Sequence, residues 1–281
     1  MDDPRLTPAR PDLAAKYLEG KVAAARFVSG ETFEISDAIA PLRERPSADA
    51  SLLTQALRGE RATIYDRTGE GWAWGQLDRD GYVGWLPDSS LARPQAAPTH
   101  KVIALRTFAF PGPSIKLPPL NTLVMNSLLT VTGESGAFAI TREGWYVPRG
   151  HLGDPDRFET DFVELAERFV GTPYLWGGKS SFGIDCSGLV QIALNAAGTG
   201  CPRDSDMQQD GLGSDVDPAQ SGKLQRGDLI FWKGHVAIAR DATTIVHANA
   251  HHMATVIENT SDAIARIKAV GGDVVAIQRP T

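Results

Sequence analysis

The chain has 281 residues, of which 42% are hydrophobic and 22% are charged, and its formal net charge is −6 at pH 7. This length exceeds the usual size of one domain, so two or three compact parts are expected. The acidic balance, without a run of basic residues, argues against nucleic acid as a partner, because phosphate binding requires clustered Lys and Arg.

The first 20 residues lack the features of an exported or membrane-anchored chain. They contain acidic residues and prolines but no long apolar stretch, so no secretory signal is predicted. No segment approaches the length of a membrane span. If Met1 is the native start, these features and two cysteines without an evident pairing predict a cytoplasmic protein with no membrane partner.

Short strand-like runs, punctuated by Gly and Asp, follow an N-terminal extension at residues 1–30. The runs lie at residues 32–36, 61–65, 72–77 and 82–86. Because several short strands with frequent turn signals are typical of a small all-β domain, residues 31–95 are predicted to form a first barrel. Within the extension, residues 13–27 have only a loose helical pattern.

A weaker version of this pattern follows a proline-containing linker at residues 92–99. The sequence Gly-Tyr-Val-Gly-Trp-Leu-Pro at residues 81–87 is matched by Gly-Trp-Tyr-Val-Pro at residues 144–148. Each stretch closes a run of short strands with aromatic residues and a proline. Residues 98–152 are therefore predicted to form a second small barrel.

The remaining chain, residues 156–281, mixes helical and strand-like patterns. Residues 161–170 carry one apolar face and are followed by Gly171, which predicts a helix that ends there. Residues 189–197 repeat apolar side chains at intervals of three and four, which predicts a second helix.

Cys186 lies in the first turn of that second helix. Unpaired backbone N–H groups and the helix macrodipole stabilise an anion at this position, so a lowered thiol pKa is expected. Asp185 and Ser187 flank the cysteine with polar side chains suited to capping. Cys201, in a polar loop before Pro202, has no such setting. A lone cysteine more often acts as a small buried hydrophobe, so the case for Cys186 depends on its context.

Two histidines downstream supply that context. His235 follows residues 233–234, a Lys-Gly hairpin signal between two strand-like runs, so it begins a strand that holds its imidazole as a general base. His247 lies on the next strand-like run and can orient that base, a role for which Asn249 competes. Either histidine alone is more simply a half-buried strand residue, but together with Cys186 they predict a cysteine nucleophile.

These blocks resemble the NlpC-type cell-wall cysteine peptidases. The matching motifs occur in family order: Tyr-Leu-Trp-Gly-Gly at 174–178, Asp-Cys-Ser-Gly-Leu-Val at 185–190, Arg-Gly-Asp-Leu-Ile-Phe-Trp at 226–232, Gly-His-Val-Ala-Ile at 234–238 and Ile-Val-His-Ala at 245–248. Pro-Arg-Asp-Ser at 202–205 also resembles a substrate loop of the family. The resemblance implies an α+β fold: a papain-like (circularly permuted) C-terminal catalytic domain preceded by two small all-β SH3-like barrels.

The resemblance also implies roles for individual residues. Cys186 would be the nucleophile, His235 the base and leaving-group acid, and His247 the residue that orients it. Tyr174 would hold substrate or complete an oxyanion site with the backbone N–H of Cys186, and a simple core aromatic is an equal alternative. Residues expected on the same ground to contact the D-glutamyl part of a murein peptide are Asp185, Ser187 and Ser205.

In similar three-domain enzymes, the first SH3-like barrel binds the free terminal amine of the substrate. Tyr82 is the candidate aromatic residue for that contact, and the carboxylate is left open among Glu44, Asp49 and Glu60. The resemblance therefore implies that L-Ala-γ-D-Glu-diaminopimelate is cut between D-Glu and the diamino acid, in the cytoplasmic recycling of imported murein peptides. The chemistry requires no cofactor.

Some alternatives stay open. His247, His251 and His252 lie close together, but the β-branched run before His247 favours a strand and loop, so no metal site is predicted. Another thiol amidase or acyltransferase would use the same three candidate residues, and a noncatalytic wall-binding protein could retain them behind a blocked cleft. The sequence does not determine the oligomeric state.

Overall fold

The computed structural model describes residues 3–216 and 224–280, which divide into two compact units, Met1–Arg157 and Phe158–Thr281. The cytoplasmic prediction depends on Met1 being the native start, and Met1 lies outside the described residues. Within those ranges, no helix combines the length and the apolar character that crossing a bilayer demands.

The first unit begins with a seven-stranded sheet of antiparallel pairs, in the order β5-β4-β8-β7-β6-β3-β9. Its strands are β3 (Glu31–Ile35), β4 (Ile39–Arg43), β5 (Leu52–Leu57), β6 (Arg61–Arg67), β7 (Trp72–Leu77), β8 (Val83–Pro87) and β9 (Leu91–Ala92), with a 3₁₀ turn at Asp88–Ser90. Before the sheet come β1 (Ala14–Ala15), a 3₁₀ turn (Lys16–Leu18) and β2 (Phe27–Val28).

The N-terminal residues pack on this sheet and do not form a long helix. Leu13 is fully buried in a cluster with Trp74 and Val83. The guanidinium of Arg10 lies 4.5 Å from the ring centre of Trp74 and 4.9 Å from that of Trp85. Because burial of a leucine contributes about 1.5–3 kcal/mol, the extension stabilises the sheet that it covers.

The rest of the first unit consists of short strands around a second core. The strands are β10 (His100–Val102), β11 (Arg106–Ala109), β12 (Asn121–Val124), β13 (Leu128–Leu129), β14 (Val131–Ser135), β15 (Phe138–Thr141), β16 (Tyr146–Pro148) and β17 (Leu152–Gly153), with a 3₁₀ turn at Arg149–His151. The buried core residues are Val102, Ala109, Leu123, Leu129, Ala139, Val147 and Leu152. The division into an extension at residues 1–30 and barrels at 31–95 and 98–152 stays a proposal.

The second unit is a six-stranded antiparallel sheet with helices on both faces. Its strand order is β20-β25-β21-β22-β23-β24. The elements are α1 (Phe162–Glu167), β18 (Lys179–Ser180), β19 (Gly183–Ile184), α2 (Cys186–Ala196), α3 (Ser205–Gly211), β20 (Ser214–Val216), β21 (Leu229–Trp232), β22 (His235–Ala239), β23 (Thr244–Asn249), β24 (Ala254–Asn259), α4 (Thr260–Ala269) and β25 (Val274–Arg279). The helix predicted at residues 161–170 is shorter than expected, because α1 gives way to turns before Gly171, whose φ is +86°.

The hairpin between β21 and β22 has the geometry that its Lys-Gly pair predicts. Trp232 lies opposite His235 across the turn, and Gly234 has φ +75°, a conformation that residues with side chains rarely adopt. His235 is therefore the first residue of a central strand, held in register by the pairs that follow it.

Helices cover the central strands on both sides. One face carries a cluster that includes Ile230 and Trp232 of β21 and Ala263 of α4. On the other side, α2 packs against β22 and β23. Burial on both faces explains why β21 reads as an unbroken apolar run in the sequence and does not alternate.

The N-terminal half of α2 approaches a neighbouring loop so closely that only glycine fits. A Cβ atom added at Gly188 would lie 2.3 Å from the carbonyl oxygen of Gly178 and 2.9 Å from Oδ1 of Asp185. Both neighbours are held in place, since the backbone N–H of Asp185 donates to the same carbonyl. Close packing of α2 therefore depends on the missing side chain at Gly188.

We expect Gly188→Ala to destabilise the second unit by about 1–3 kcal/mol, because overpacking against fixed backbone outweighs the roughly 1 kcal/mol that alanine gains over glycine in a helix. The matched control is Gly200→Ala, since a Cβ there meets nothing within 4 Å. Urea unfolding followed by circular dichroism measures both. A Gly188→Ala protein as stable as the Gly200→Ala control would contradict this description of the packing.

Candidate active site

Cys186 is the first residue of α2 and is 7% exposed. The helix begins there because Asp185 caps it, its Oδ1 accepting the backbone N–H of Gly188 at 2.7 Å. The cysteine thus occupies the helix start that the apolar spacing predicts.

The sulfur of Cys186 lies against the strand that carries His235. The backbone N–H groups of Val236 and Ser187 lie close enough to the sulfur to lower the pKa of the thiol. Val236 is the residue directly after His235 on β22, so the packing of α2 on β22 brings the thiol to the start of the histidine strand. Helix and strand together place Cys186 beside the residue that follows His235, although the two are far apart in the sequence.

The two predicted histidines contact each other directly. Nε2 of His235 lies 3.0 Å from Nδ1 of His247, which is 1% exposed on β23. The indole of Trp232 lies beside His235, with ring centres 5.5 Å apart. Among the described residues, the side chain that is hydrogen-bonded to the His235 ring is that of His247 and not that of Asn249. The second nitrogen of His235, Nδ1, is the one on the opposite side of the ring from this bond.

Burial decides the charge state of the thiol and of both imidazoles. It raises the pKa of Cys186 to about 12, and the negative charge of Asp185 acts in the same direction. It lowers the pKa of His235 to about 3 and that of His247 to about 4. The expectation of a lowered thiol pKa is therefore wrong, because desolvation and the charge of Asp185 outweigh the backbone N–H groups of Val236 and Ser187, which lower the pKa. The resting pair is a neutral thiol and a neutral imidazole.

A carboxylate that the sequence patterns did not single out lies on the far side of His247. Oε2 of Glu258 is 3.0 Å from Nε2 of His247, and Arg266 lies 2.7 Å from the same oxygen. Nδ2 of Asn249 is also 3.1 Å from Nε2 of His247. In the sequence, Glu258 is marked only by its place on the strand that follows the His247 strand. Its contact with His247 depends on the pairing register of these two strands, which the sequence does not show.

Asp185, which precedes the cysteine, belongs to a buried ion pair. Nη2 of Arg203 lies 2.7 Å from Oδ2 of Asp185, and the arginine side chain is 1% exposed. The same guanidinium donates to Oγ of Ser187 at 2.9 Å and to the carbonyl of Gly178 at 3.3 Å. The backbone N–H of Gly177 also donates to Asp185. These bonds fix the loop before α2, while contacts of Asp185 and Ser187 with substrate stay predictions.

Tyr174 and Ser205 lie in the same unit as the cysteine. Tyr174 is half-buried, and burial raises the pKa of its phenol, with the proximity of Cys186 and of the Asp185 carboxylate acting in the same direction. A neutral phenol close to the thiol is suited to donate a hydrogen bond. Ser205 is the half-buried first residue of α3. The substrate contacts of both residues stay predictions.

Tyr82 belongs to the first unit, where it is 3% exposed directly before β8. Among the carboxylates considered with it, Glu60 already has partners: Arg79 at 2.7 Å and the backbone N–H of Leu57 at 2.9 Å. Asp49 likewise accepts a hydrogen bond from the hydroxyl of Ser47, so the choice among Glu44, Asp49 and Glu60 stays open. The contact of Tyr82 with substrate stays a prediction.

The described residues contain no group of three or more His, Cys, Asp or Glu side chains arranged to hold a metal ion. His247 points its two nitrogens at His235 and Glu258, and His251 lies in the turn after β23. The proximity of these histidines in sequence therefore reflects a strand and a turn.

Comparisons with known proteins match both units. Residues 42–91 match the family model described as the bacterial dipeptidyl-peptidase Sh3 domain, and residues 171–271 match the NlpC/P60 family. A solved NlpC/P60 family protein from Bacillus cereus superposes with a TM-score of 0.75 at 22% identity, covering 89% of this chain and 99% of that one. This likeness confirms the predicted fold class, with an SH3-like all-β N-terminal region before a papain-like domain.

Two curated relatives align over most of the chain. The gamma-D-glutamyl-L-lysine dipeptidyl-peptidase of Bacillus cereus is 30% identical over 230 residues, covering 70% of this chain and 67% of that protein. The dipeptidyl-peptidase 6 of Lysinibacillus sphaericus is 29% identical over 235 residues, covering 75% of this chain and 85% of that protein.

The neutral resting pair has a measurable consequence for thiol reactivity. Because only the thiolate reacts and its pKa is about 12, the rate of Cys186 alkylation by iodoacetamide should rise about tenfold per pH unit from about pH 7 to pH 10. The measurement uses a Cys201→Ala background, so that Cys186 is the one thiol present. A rate that is level across this range would instead show a preformed thiolate–imidazolium pair.

Proposed function

The chain belongs to the NlpC/P60 peptidase family, and on that premise we propose that it is a cysteine peptidase that cuts the γ-D-glutamyl to diamino acid bond of murein peptides with a free N-terminal L-Ala. Its proposed catalytic residues are Cys186 as nucleophile, His235 as base and His247 as the residue that orients the base.

One observation carries the proposal: a thiol at a helix start lies against the strand of a histidine whose ring is hydrogen-bonded to a second histidine. The backbone N–H of Val236, the residue after His235, lies close enough to the sulfur of Cys186 to lower its pKa, and the His235–His247 bond measures 3.0 Å. A nucleophile next to a base, with a third group fixing the base, is the arrangement that covalent acyl transfer requires.

The neutral pair defines the order of proton movements. As the sulfur attacks the γ-carbonyl carbon, the thiol proton moves to Nδ1 of His235, and the carbonyl oxygen becomes an oxyanion. The backbone N–H of Cys186 and the phenol of Tyr174 are the proposed oxyanion donors. When the C–N bond breaks, His235 gives its proton to the departing amine. Water, deprotonated by His235, then attacks the thioester, and the proton returns to the sulfur as L-Ala-D-Glu leaves.

The names of the relatives support the substrate class. The relative from Bacillus cereus is named gamma-D-glutamyl-L-lysine dipeptidyl-peptidase and that from Lysinibacillus sphaericus dipeptidyl-peptidase 6, and the family model matched by residues 42–91 is also named for dipeptidyl-peptidases. Removal of a dipeptide requires recognition of a free amino terminus, which is the proposed task of Tyr82 and a carboxylate of the first unit. We propose diaminopimelate as the third residue, with lysine as the competing possibility, and cytoplasmic recycling of wall peptides as the setting.

The direct test is mass spectrometry of L-Ala-γ-D-Glu-diaminopimelate and L-Ala-γ-D-Glu-L-Lys incubated with the purified protein. We expect release of L-Ala-D-Glu, with a higher kcat/KM for the diaminopimelate peptide. Cys186→Ala and His235→Ala should each lower kcat by at least roughly 10³-fold, because the nucleophile and its base act as one unit. An N-acetylated peptide should resist hydrolysis, because its terminal amine is blocked.

Cys201→Ala is the matched control, since it removes a buried thiol outside the proposed active site and should keep activity within about threefold. Equal activity of wild type and Cys186→Ala would refute the proposed nucleophile. Intact substrate with all proteins would refute the proposed substrate, and hydrolysis of the N-acetylated peptide would refute recognition of the free amine.

A further inference from the structure

We propose that Glu258 is a positioning residue that sets the tautomer of His247 and, through it, leaves Nδ1 of His235 free of a proton. The inference rests on the proposed function, because it assigns Glu258 a part in preparing the catalytic base. Glu258 acts through His247 and is not itself expected to touch substrate.

The sheet register brings the carboxylate to the histidine. On the paired strands β23 and β24, His247 lies opposite Val256 and Ile245 lies opposite Glu258. Glu258 is therefore two residues beyond the partner of His247, on the same face of the sheet, which is a diagonal position that a long side chain can reach. The resulting contact is 3.0 Å, between Oε2 of Glu258 and Nε2 of His247.

Arg266 keeps this carboxylate ionised. Its Nη2 lies 2.7 Å from Oε2 of Glu258 and its Nε lies 3.1 Å from Oε1, a two-point contact from α4. Burial opposes ionisation of Glu258, but the bonds to Arg266 and His247 outweigh it, so the pKa of this carboxyl lies below its usual value. An ionised carboxylate only accepts hydrogen bonds.

The location of each proton follows from that acceptor. Because Glu258 cannot donate, Nε2 of His247 must carry a proton and donate it to the carboxylate. His247 is neutral, so its Nδ1 is left as an acceptor. The only way to satisfy the 3.0 Å contact between this Nδ1 and Nε2 of His235 is for His235 to carry its proton on Nε2. Nδ1 of His235 is then unprotonated and ready to take the thiol proton.

Without the carboxylate of Glu258, the side-chain amide of Asn249 would favour the opposite tautomer of both histidines. Oδ1 of Asn249 accepts the backbone N–H of His252 at 2.8 Å, which turns Nδ2 toward Nε2 of His247 at 3.1 Å. If this amide became the main partner, Nε2 of His247 would accept, Nδ1 of His247 would carry the proton, and His235 would be protonated on Nδ1. That tautomer blocks the base.

The electrostatic effect of Glu258 acts in the same direction as its effect on the tautomer. Its negative charge favours the protonated forms of His235 and His247, whereas Arg266 disfavours both. When His235 takes up the thiol proton, the positive charge that appears on the linked rings faces a carboxylate at one end. Glu258 therefore stabilises the protonated base that forms during attack.

The test is the Glu258→Gln variant, examined by long-range ¹H–¹⁵N correlation of the histidine rings and by steady-state kinetics. Arg266 only donates, so it should take the carbonyl oxygen of the introduced amide and turn the NH₂ group toward His247. We expect His235 and His247 to be protonated on Nε2 in wild type and on Nδ1 in Glu258→Gln. We also expect kcat to fall by about 10²-fold, with KM changed less than about threefold, since general-base catalysis contributes about 10²–10⁴-fold.

The matched control is Glu167→Gln, which removes another carboxylate paired with arginines in the same unit, 2.8 Å from Arg240 and 3.2 Å from Arg226. It should leave both tautomers and kcat unchanged. Nδ1-protonated His247 in the wild-type protein would overturn the proposal even if Glu258→Gln failed to fold. Because the tautomers are measured without substrate, this result is independent of whether the proposed peptide is hydrolysed.

Discussion

The close packing of α2 on the central sheet is the constraint on which the rest of the site depends. The start of the helix is fixed beside a neighbouring loop, because Gly188 has no side chain to strike the carbonyl of Gly178 and because Asp185 and Arg203 hold the preceding residues by a buried ion pair. This packing places the sulfur of Cys186 against the backbone N–H of Val236. Loss of the packing would separate the proposed nucleophile from the strand of the proposed base before either side chain was altered.

The same burial that holds the helix also determines the chemistry. In a dry environment a separated thiolate and imidazolium are costly, so Cys186 and His235 rest as neutral groups. A neutral base is effective only if its unprotonated nitrogen faces the thiol. Orientation and tautomer therefore matter more here than a lowered thiol pKa, and the line of contacts from His235 through His247 to Glu258 meets that need.

Local patterns predicted the features that depend on neighbours in sequence: the helix that starts at Cys186 and the hairpin that places His235. Features that depend on tertiary pairing were not predictable. Strand β5 (Leu52–Leu57) is rich in helix-forming residues, and sheet pairing overrides that propensity. Glu258 required the register of two strands, and the raised pKa of Cys186 required knowledge of its burial.

The measurement that tests the central claim most directly is acid-quench mass spectrometry of the protein during turnover of L-Ala-γ-D-Glu-diaminopimelate, followed by peptide mapping. A covalent thioester intermediate predicts an L-Ala-D-Glu acyl group on the peptide that contains Cys186, which hydroxylamine removes. An acyl group on any other residue would contradict the proposed thioester mechanism. Turnover without an acyl-enzyme, combined with activity of the Cys186→Ser protein, would also contradict it.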